Sequence, residues 1–339
     1  MSVNVLICDD SNIARKQFSK LIPEEWKSSL FFAANGMEAL DVISSKNISV
    51  LFLDLNMPVM DGYQTLTKLQ KLGVEISVIV VSADIQPQAL ARVMSLGAVD
   101  FLKKPATQNA VLETLTKHGL YNKSGSGSLT GGLAVANDTV SEPFSLNECL
   151  QEVSNIAMGK AASVLANMLN VFIKLPIPTV NMLEVSELQM ALTYGDKSKQ
   201  CSAISQGFVG AGVAFEALFI FSDSSFPDMA KLLHYDQELD RNAEVELLMD
   251  VSSVLIGPFM MEMGKQLNID FSHGHPVLLG QHVSINDLIQ IKKTQWKRTL
   301  AVEIVYEVEN YQISCDLMLL FTEDSVGVLE NLLSYLAEE

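Results

Sequence analysis

Ser49-Val-Leu-Phe-Leu-Asp54-Leu-Asn-Met-Pro-Val-Met-Asp-Gly62 decides the fold of the first third of the chain. A short apolar run ends on an acid, and a turn carrying Pro and Gly follows, which is how a buried strand gives way to a polar loop. Val3 to Cys8, Leu30 to Ala33, Ser77 to Ser82 and Val99 to Leu102 are the matching strand candidates, with Ser49 to Leu55 as the third in order, and amphipathic stretches separate them. Five strands alternating with helices predict an α/β fold with a doubly wound parallel sheet. Reactive groups in such a sheet gather at the carboxyl ends of the strands, near the point where the winding reverses. Those ends are polar here: the first strand runs into Asp9-Asp10, the third into Asp54, the fourth ends in Ser82, and the fifth is followed by Lys103-Lys104-Pro105.

Composition narrows the classes. The 339 residues are 48% hydrophobic and 19% charged, too apolar for a disordered chain and long enough for two cores. The longest apolar stretch, Gly207 to Phe221, is interrupted by Glu216 and is shorter than the roughly 20 residues a membrane helix needs, so no membrane insertion is expected. The first residues lack a basic lead and meet two acids at once, unlike a signal peptide, and a cytoplasmic location is expected. Cys8, Cys149, Cys201 and Cys315 are far apart and read as reduced, buried thiols. Charge is unevenly shared. Of the 23 basic and 40 acidic residues, 11 and 12 fall within residues 1 to 120, a net of −1, which leaves −16 of the total −17 for the remainder. A body so anionic is repelled by phosphate backbones, so no nucleic-acid partner is expected.

Three carboxylates gathered at strand ends repel one another unless a cation joins them. Magnesium prefers oxygen ligands and keeps several waters, so Asp9 or Asp10, Asp54 and a main-chain carbonyl such as that of Asn56 suit it. A carboxylate beside such an ion can attack a phosphoryl group, with Lys104 neutralising the transferred oxygens and the Ser82 hydroxyl closing on one of them. With Asp54-Leu-Asn-Met-Pro-Val-Met-Asp-Gly62, Asp9-Asp10, Ser82-Ala83 and Phe101 ahead of Lys104-Pro105, residues 1 to 120 resemble a response-regulator receiver domain, the CheY family. The resemblance implies a flavodoxin-like sheet of order 2-1-3-4-5. It also implies Asp54 as phosphoacceptor, Asp9 and Asp10 as Mg2+ ligands, Lys104 at the phosphoryl group, Ser82 with Phe101 as the switch pair, and a histidine kinase as phosphodonor.

Residues 121 to 142 are dense in Gly and Ser and read as a flexible tether. A helix then opens on a capping box, Ser145 with Glu148, stapled by Phe144 and Cys149. Leu146, Leu150, Val153, Ile156, Ala157, Ala161 and Val164 form its apolar stripe, and Glu148, Glu152, Asn155 and Gly159 a second stripe expected to face away. The segment recurs. Glu152-Val-Ser-Asn155 aligns on Asp250-Val-Ser-Ser253 and Pro178 on Pro276, each 98 residues later, while Phe221 matches Phe321 at an offset of 100, so a two-residue insertion intervenes. Residues 143 to 339 are therefore expected to form a duplicated two-layer α/β domain with units of about 143–238 and 240–336.

Glu152 and Asn155, three apart on a helix, are neighbours on one face. A carboxylate can dock a partner's lysine, and an amide can hold a water in line for attack. Glu152, Asn155 and Pro178 match the E-x-x-N signature and following proline of the CheC/CheX/FliY phosphatases, which this domain resembles. That resemblance implies hydrolysis of the aspartyl phosphate of a CheY-like phospho-receiver, Asn155 positioning the water and Glu152 engaging the receiver's lysine, with the metal belonging to the substrate. In the second copy Asp250 is one methylene short, Ser253 lacks the amide, and Pro258 is expected to interrupt the helix, so this site reads as degenerate. His273-Gly-His275 and His282 lack companion ligands and read as loop histidines. The chain is thus expected to be a response regulator with a protein aspartyl-phosphate phosphatase as output. The alternatives are a non-catalytic CheC-like docking module and a self-dephosphorylating phosphate sink.

Overall fold

In the computed structural model, β1 (Val3–Cys8) lies inside a parallel sheet, flanked by β2 (Ser28–Ala33) and β3 (Val50–Leu53), with β4 (Ser77–Ser82) and β5 (Asp100–Lys103) beyond β3. The structure describes residues 3–26, 28–121, 134–135, 145–184, 200–235, 238–284, 287–288 and 298–338. Two units, Met1–Phe144 and Ser145–Glu338, are each compact.

Period-two alternation along the strands gives the first unit two cores. Leu6, Cys8, Leu51, Leu53, Val78 and Val80 pack under α2 (Gly36–Ser45), α3 (Gly62–Leu72) and α4 (Pro87–Ser95); Val5, Ile7, Val50, Phe52, Ile79 and Val81 pack under α1 (Asn12–Leu21) and α5 (Gln108–Lys117). Sheet order is 2-1-3-4-5, reversing between β1 and β3. β2 starts two residues before the expected Leu30, because the parallel ladder with β1 begins at Val3↔Ser28. β3 ends at Leu53, short of the expected Leu55, and β5 is displaced one residue to Asp100–Lys103. Within the stretch read as a tether, Ala134 and Val135 form β6, which pairs with Ser29 and Leu30 on the open edge of β2. That edge presents unpaired backbone groups and takes up a β-prone pair.

The second unit opens with α6 (Leu146–Leu169), whose capping box of Ser145 and Glu148 is formed as the sequence predicts; Phe144, assigned to its staple, lies outside the described residues. Then come β7 (Ile173–Lys174), β8 (Thr179–Glu184), β9 (Gln200–Gly210), β10 (Val213–Ser222), a 3-10 turn (Asp223–Ser225) and α7 (Phe226–Leu232). The order repeats as α8 (Arg241–Leu267), β11 (Ser272–His273), β12 (Val277–Ser284), β13 (Arg298–Val308), β14 (Ser314–Phe321) and α9 (Glu323–Glu338). These strands form a separate antiparallel sheet in which β10 and β14 lie side by side, meeting through their middles at Leu218↔Met318. α6 and α8 both end on an asparagine in the left-handed region, Asn170 and Asn268, a conformation this side chain tolerates at a helix end. The two-residue step between the halves falls in a hairpin. Ala211-Gly212 connects β9 to β10, whereas Val308 N–H donates to the Ile313 carbonyl across four residues, 309–312.

Pro258 does not interrupt α8, which runs unbroken through it. A proline removes one backbone bond, and a 27-residue helix buried against α6 and the sheet retains enough packing to carry the loss. α8 is long and apolar enough to cross a membrane, and 61% of its most apolar window is buried inside the fold, as in a core helix.

Val59 is a local exception to backbone preference. It is 80% exposed yet holds φ at 67°, a region that a β-branched residue enters at a cost of roughly 1–2 kcal/mol. Asparagine enters it more easily. Val59→Asn is expected to raise stability by about 1 kcal/mol, read as a higher urea midpoint at unchanged slope; an unchanged or lower midpoint refutes this account.

Candidate functional site

The strand ends converge because the ladders continue just past them. Asp9 N–H donates to the Ala33 carbonyl at 3.1 Å, Asp54 N–H to Cys8 at 2.9 Å, and Lys104 N–H to Ser82 at 2.9 Å. These bonds bring Asp9, Asp10, Asp54 and Lys104 to one rim. Asp9 and Asp54 are buried and Asp10 is half-buried, and one carboxylate oxygen from each lies within 4.8 Å of the others. The Lys104 ammonium stands 2.7 Å from Asp9 Oδ2 and 3.4 Å from Asp54 Oδ2.

Neighbouring groups fix the orientation. Leu55 N–H donates to Asp54 Oδ1 at 2.8 Å, directing Oδ2 toward the lysine, and Ser11 N–H donates to Asp9 Oδ1 at 2.9 Å. Gly62 allows the loop to close on this strand end: a Cβ there would meet the Asp54 carbonyl oxygen at 2.4 Å. Asn56 follows in the loop, half-buried. Ser82 is fully buried and its Oγ accepts the Asp84 N–H at 3.1 Å, so the hydroxyl proton remains available to an incoming oxygen. Phe101 on β5 is half-buried opposite Val80. The thiol of Cys8, one residue from Asp9, is pushed far up by burial and then by Asp9 and Asp54, so it is inert.

The donor set fits a hard divalent ion, since three carboxylates supply oxygen only and the single lysine leaves an excess of negative charge. Mg2+ would be held by Asp9, Asp10 and Asp54.

The profile of the response regulator receiver domain matches residues 5–116. The N-terminal unit is a response-regulator receiver domain. The chain is 38% identical over 107 residues to a protein-glutamate methylesterase/protein-glutamine glutaminase of Moorella thermoacetica, covering 31% of this chain and 25% of that one. It is 32% identical over 110 residues to the probable C4-dicarboxylate response regulator DctR of Bacillus subtilis, covering 32% and 45%. Among solved structures, the CheX-CheY-BeF3-Mg+2 complex from Borrelia burgdorferi matches at 30% identity and a TM-score of 0.33, over 34% of this chain and 89% of that chain. The chain thus spans less than half the length of these two curated relatives.

Outside the receiver domain, the stripe of α6 expected to face away from the core does not do so. Asn155 does not face outward: it is 6% exposed, and its Oδ1 has no hydrogen-bond partner among the described residues. Gly159 is buried too, and Glu152 and Glu148 are half-buried. From Val153 to Ser163 the helix carries mainly apolar and small residues, all buried except the half-buried Lys160, and it packs against α8, α9 and the strands β7, β8 and β13. Gln151 Nε2 donates to the Pro178 carbonyl at 3.1 Å, which holds that proline beside α6. Asp250 and Ser253 are exposed, Ser253 Oγ donating to the Met249 carbonyl at 2.7 Å. Ser253 borders an open groove of about 760 Å³ lined also by Phe208, Ile256, Met260 and Phe271.

Sequence reasoning also missed Asp84, whose burial depends on tertiary packing. Burial lifts its carboxyl to about 6, partly offset by the Gln86 N–H bonded to Oδ1 at 3.1 Å. Because the folded chain holds this proton more tightly, the contribution to stability is complete below the ordinary value of 3.8 and is lost as pH rises through about 6. Asp84→Asn keeps the acceptor and removes the titration. It is expected to stabilise the domain at pH 7 by on the order of 2 kcal/mol and to do little at pH 4. Equal gains in denaturant unfolding at both values would refute the assignment.

Proposed function

We propose that Asp54 is the phosphoacceptor of a histidine kinase, and that the C-terminal unit is an output that dephosphorylates a CheY-like phospho-receiver through Glu152 and Asn155. In the first step an Asp54 oxygen attacks phosphorus, the bond from phosphorus to the donor histidine breaks, and the histidine leaves. Lys104 balances the transferred oxygens and the Ser82 hydroxyl donates to one of them. Magnesium, when bound, supplies charge neutralisation to the phosphoryl oxygens.

The output reading rests on one observation, the Oδ1 of buried Asn155, which has no hydrogen-bond partner among the described residues. Burying an amide acceptor without a partner costs about 1–3 kcal/mol, which an apolar residue would not, and the proposed reaction gives the group a use. An amide that accepts from a water can aim it at the phosphorus of a docked receiver. The water oxygen bonds to phosphorus as the bond to the receiver's aspartate breaks, releasing phosphate and a carboxylate. Glu152 would pair with the receiver's lysine. Since Asn155 is buried against elements of its own unit, catalysis requires α6 to be uncovered, and we assign the control of that step to phosphorylation of Asp54. Enzymatic output beside a receiver domain has a precedent in the Moorella relative, whose name is that of a methylesterase.

The same burial favours a second reading, a CheC-like docking module without catalysis. Phosphate release from phosphorylated CheY-like receivers separates them. Turnover is expected to rise when Asp54 is phosphorylated, to stay basal in Asp54→Asn, to fall by roughly 100-fold or more in Asn155→Ala, and to survive Ser253→Ala. Absence of turnover in the unsubstituted chain, with partner binding intact in Asn155→Ala, selects the docking module; equal losses at Asn155 and Ser253 overturn the site.

A further inference from the structure

His282 lies in a strand, β12, and not in the loop the sequence predicts. The β12–β9 ladder passes from Gly280↔Ala203 to Val283↔Cys201, so Gln281 and His282 together face the single residue Ser202. His282 holds φ at 56°, and the bulge turns its ring between two carboxylates. Nδ1 is 2.8 Å from Asp223 Oδ2 in the 3-10 turn, and Nε2 is 2.8 Å from Glu244 Oε2 in the first turn of α8. Ser202 Oγ donates to the other Asp223 oxygen at 2.8 Å and accepts the His282 N–H at 3.3 Å. Gln281 Nε2 donates to the same Glu244 oxygen at 2.9 Å and to the Arg241 carbonyl at 3.1 Å. One ring and its neighbour thereby join β12, β9, the turn after β10 and the start of α8.

A neutral imidazole has a single N–H, and an ionised carboxylate only accepts. Both contacts are therefore satisfied only by the doubly protonated ring. Nor does the architecture demand these groups: at the 98-residue offset between the halves, Glu244 corresponds to Leu146 and Ser202 to Leu300.

We propose that His282 is a proton-operated clasp, closed while the ring carries both protons and slackened on loss of one, which sets how firmly β12 and the start of α8 are held to the sheet. The ionisable groups facing the ring are Asp223 and Glu244. Arg241 enters through its carbonyl, and the buried Cys201 thiol near Asp223, pushed up to about 12, stays neutral. The Phe226 ring, 6.5 Å away, adds an apolar wall. The hydrogen bond to Asp223, with the charges of both carboxylates, raises the histidine above its ordinary 6.5. The clasp is therefore fully closed below about 6.5 and releases as pH rises through the higher value of the folded chain.

The test combines ring-nitrogen NMR with amide hydrogen exchange on the full chain between pH 5.5 and 8.5. His282 is expected to titrate above 6.5, as an imidazolium at the acid end, and Asp223→Asn and Glu244→Gln should each lower that midpoint. Protection of Val277–Ser284 and of the first turn of α8, corrected for intrinsic exchange, should fall by about tenfold for each unit of upward shift, and His282→Gln should abolish this dependence. A midpoint at or below 6.5, or the same pH dependence in His282→Gln, overturns the clasp. Should His282→Gln fail to fold, Glu244→Gln decides alone: an unmoved midpoint refutes the proposal.

Discussion

Two buried carboxylates compensated by one buried ammonium, Asp9 and Asp54 with Lys104, are the interaction on which the receiver domain's rim depends. Buried charge is tolerated only when matched, and here the match is supplied by three strands whose ladders continue into the loops. Asp10 tips the balance to net negative and so creates the demand for a cation. The surroundings serve the same end: a main-chain N–H fixes the Asp54 rotamer, and Gly62 lets the following loop close over the strand end without displacing it.

How much of this was legible before the structure depended on how local its cause is. β1 and β4 have the bounds the apolar runs predict, since a run that enters and leaves a buried sheet is marked by its own polarity. The carboxylates and Lys104 were visible because several strand ends supply complementary groups in order, where a lone acid would have read as a solvated loop residue. Val59 was not visible, because its conformation follows from the closure of a loop and not from the residue. Pro258 and Asn155 misled for a shared reason. Asn155 was read as part of a face toward water and Pro258 as a break in the helix, while α6 and α8 pack against each other and against strands, where packing overrides propensity.

The two halves of the C-terminal unit share a plan and differ in chemistry. Pairing at Leu218↔Met318 keeps the central strands in equivalent register. Around that shared frame the first half buries an amide inside α6, and the second exposes a serine at the matching position and adds a carboxylate-histidine-carboxylate bridge at a bulge. A duplicated scaffold allows this divergence, because a backbone that both halves already stabilise lets each copy change its polar groups separately.

The short strand β6 bears on self-association. A parallel sheet with a bare outermost strand offers a template on which another chain can add its own backbone, the first step toward fibres. Ala134 and Val135 cap Ser29 and Leu30 on β2, so recruitment of a foreign strand there must first displace the chain's own plug.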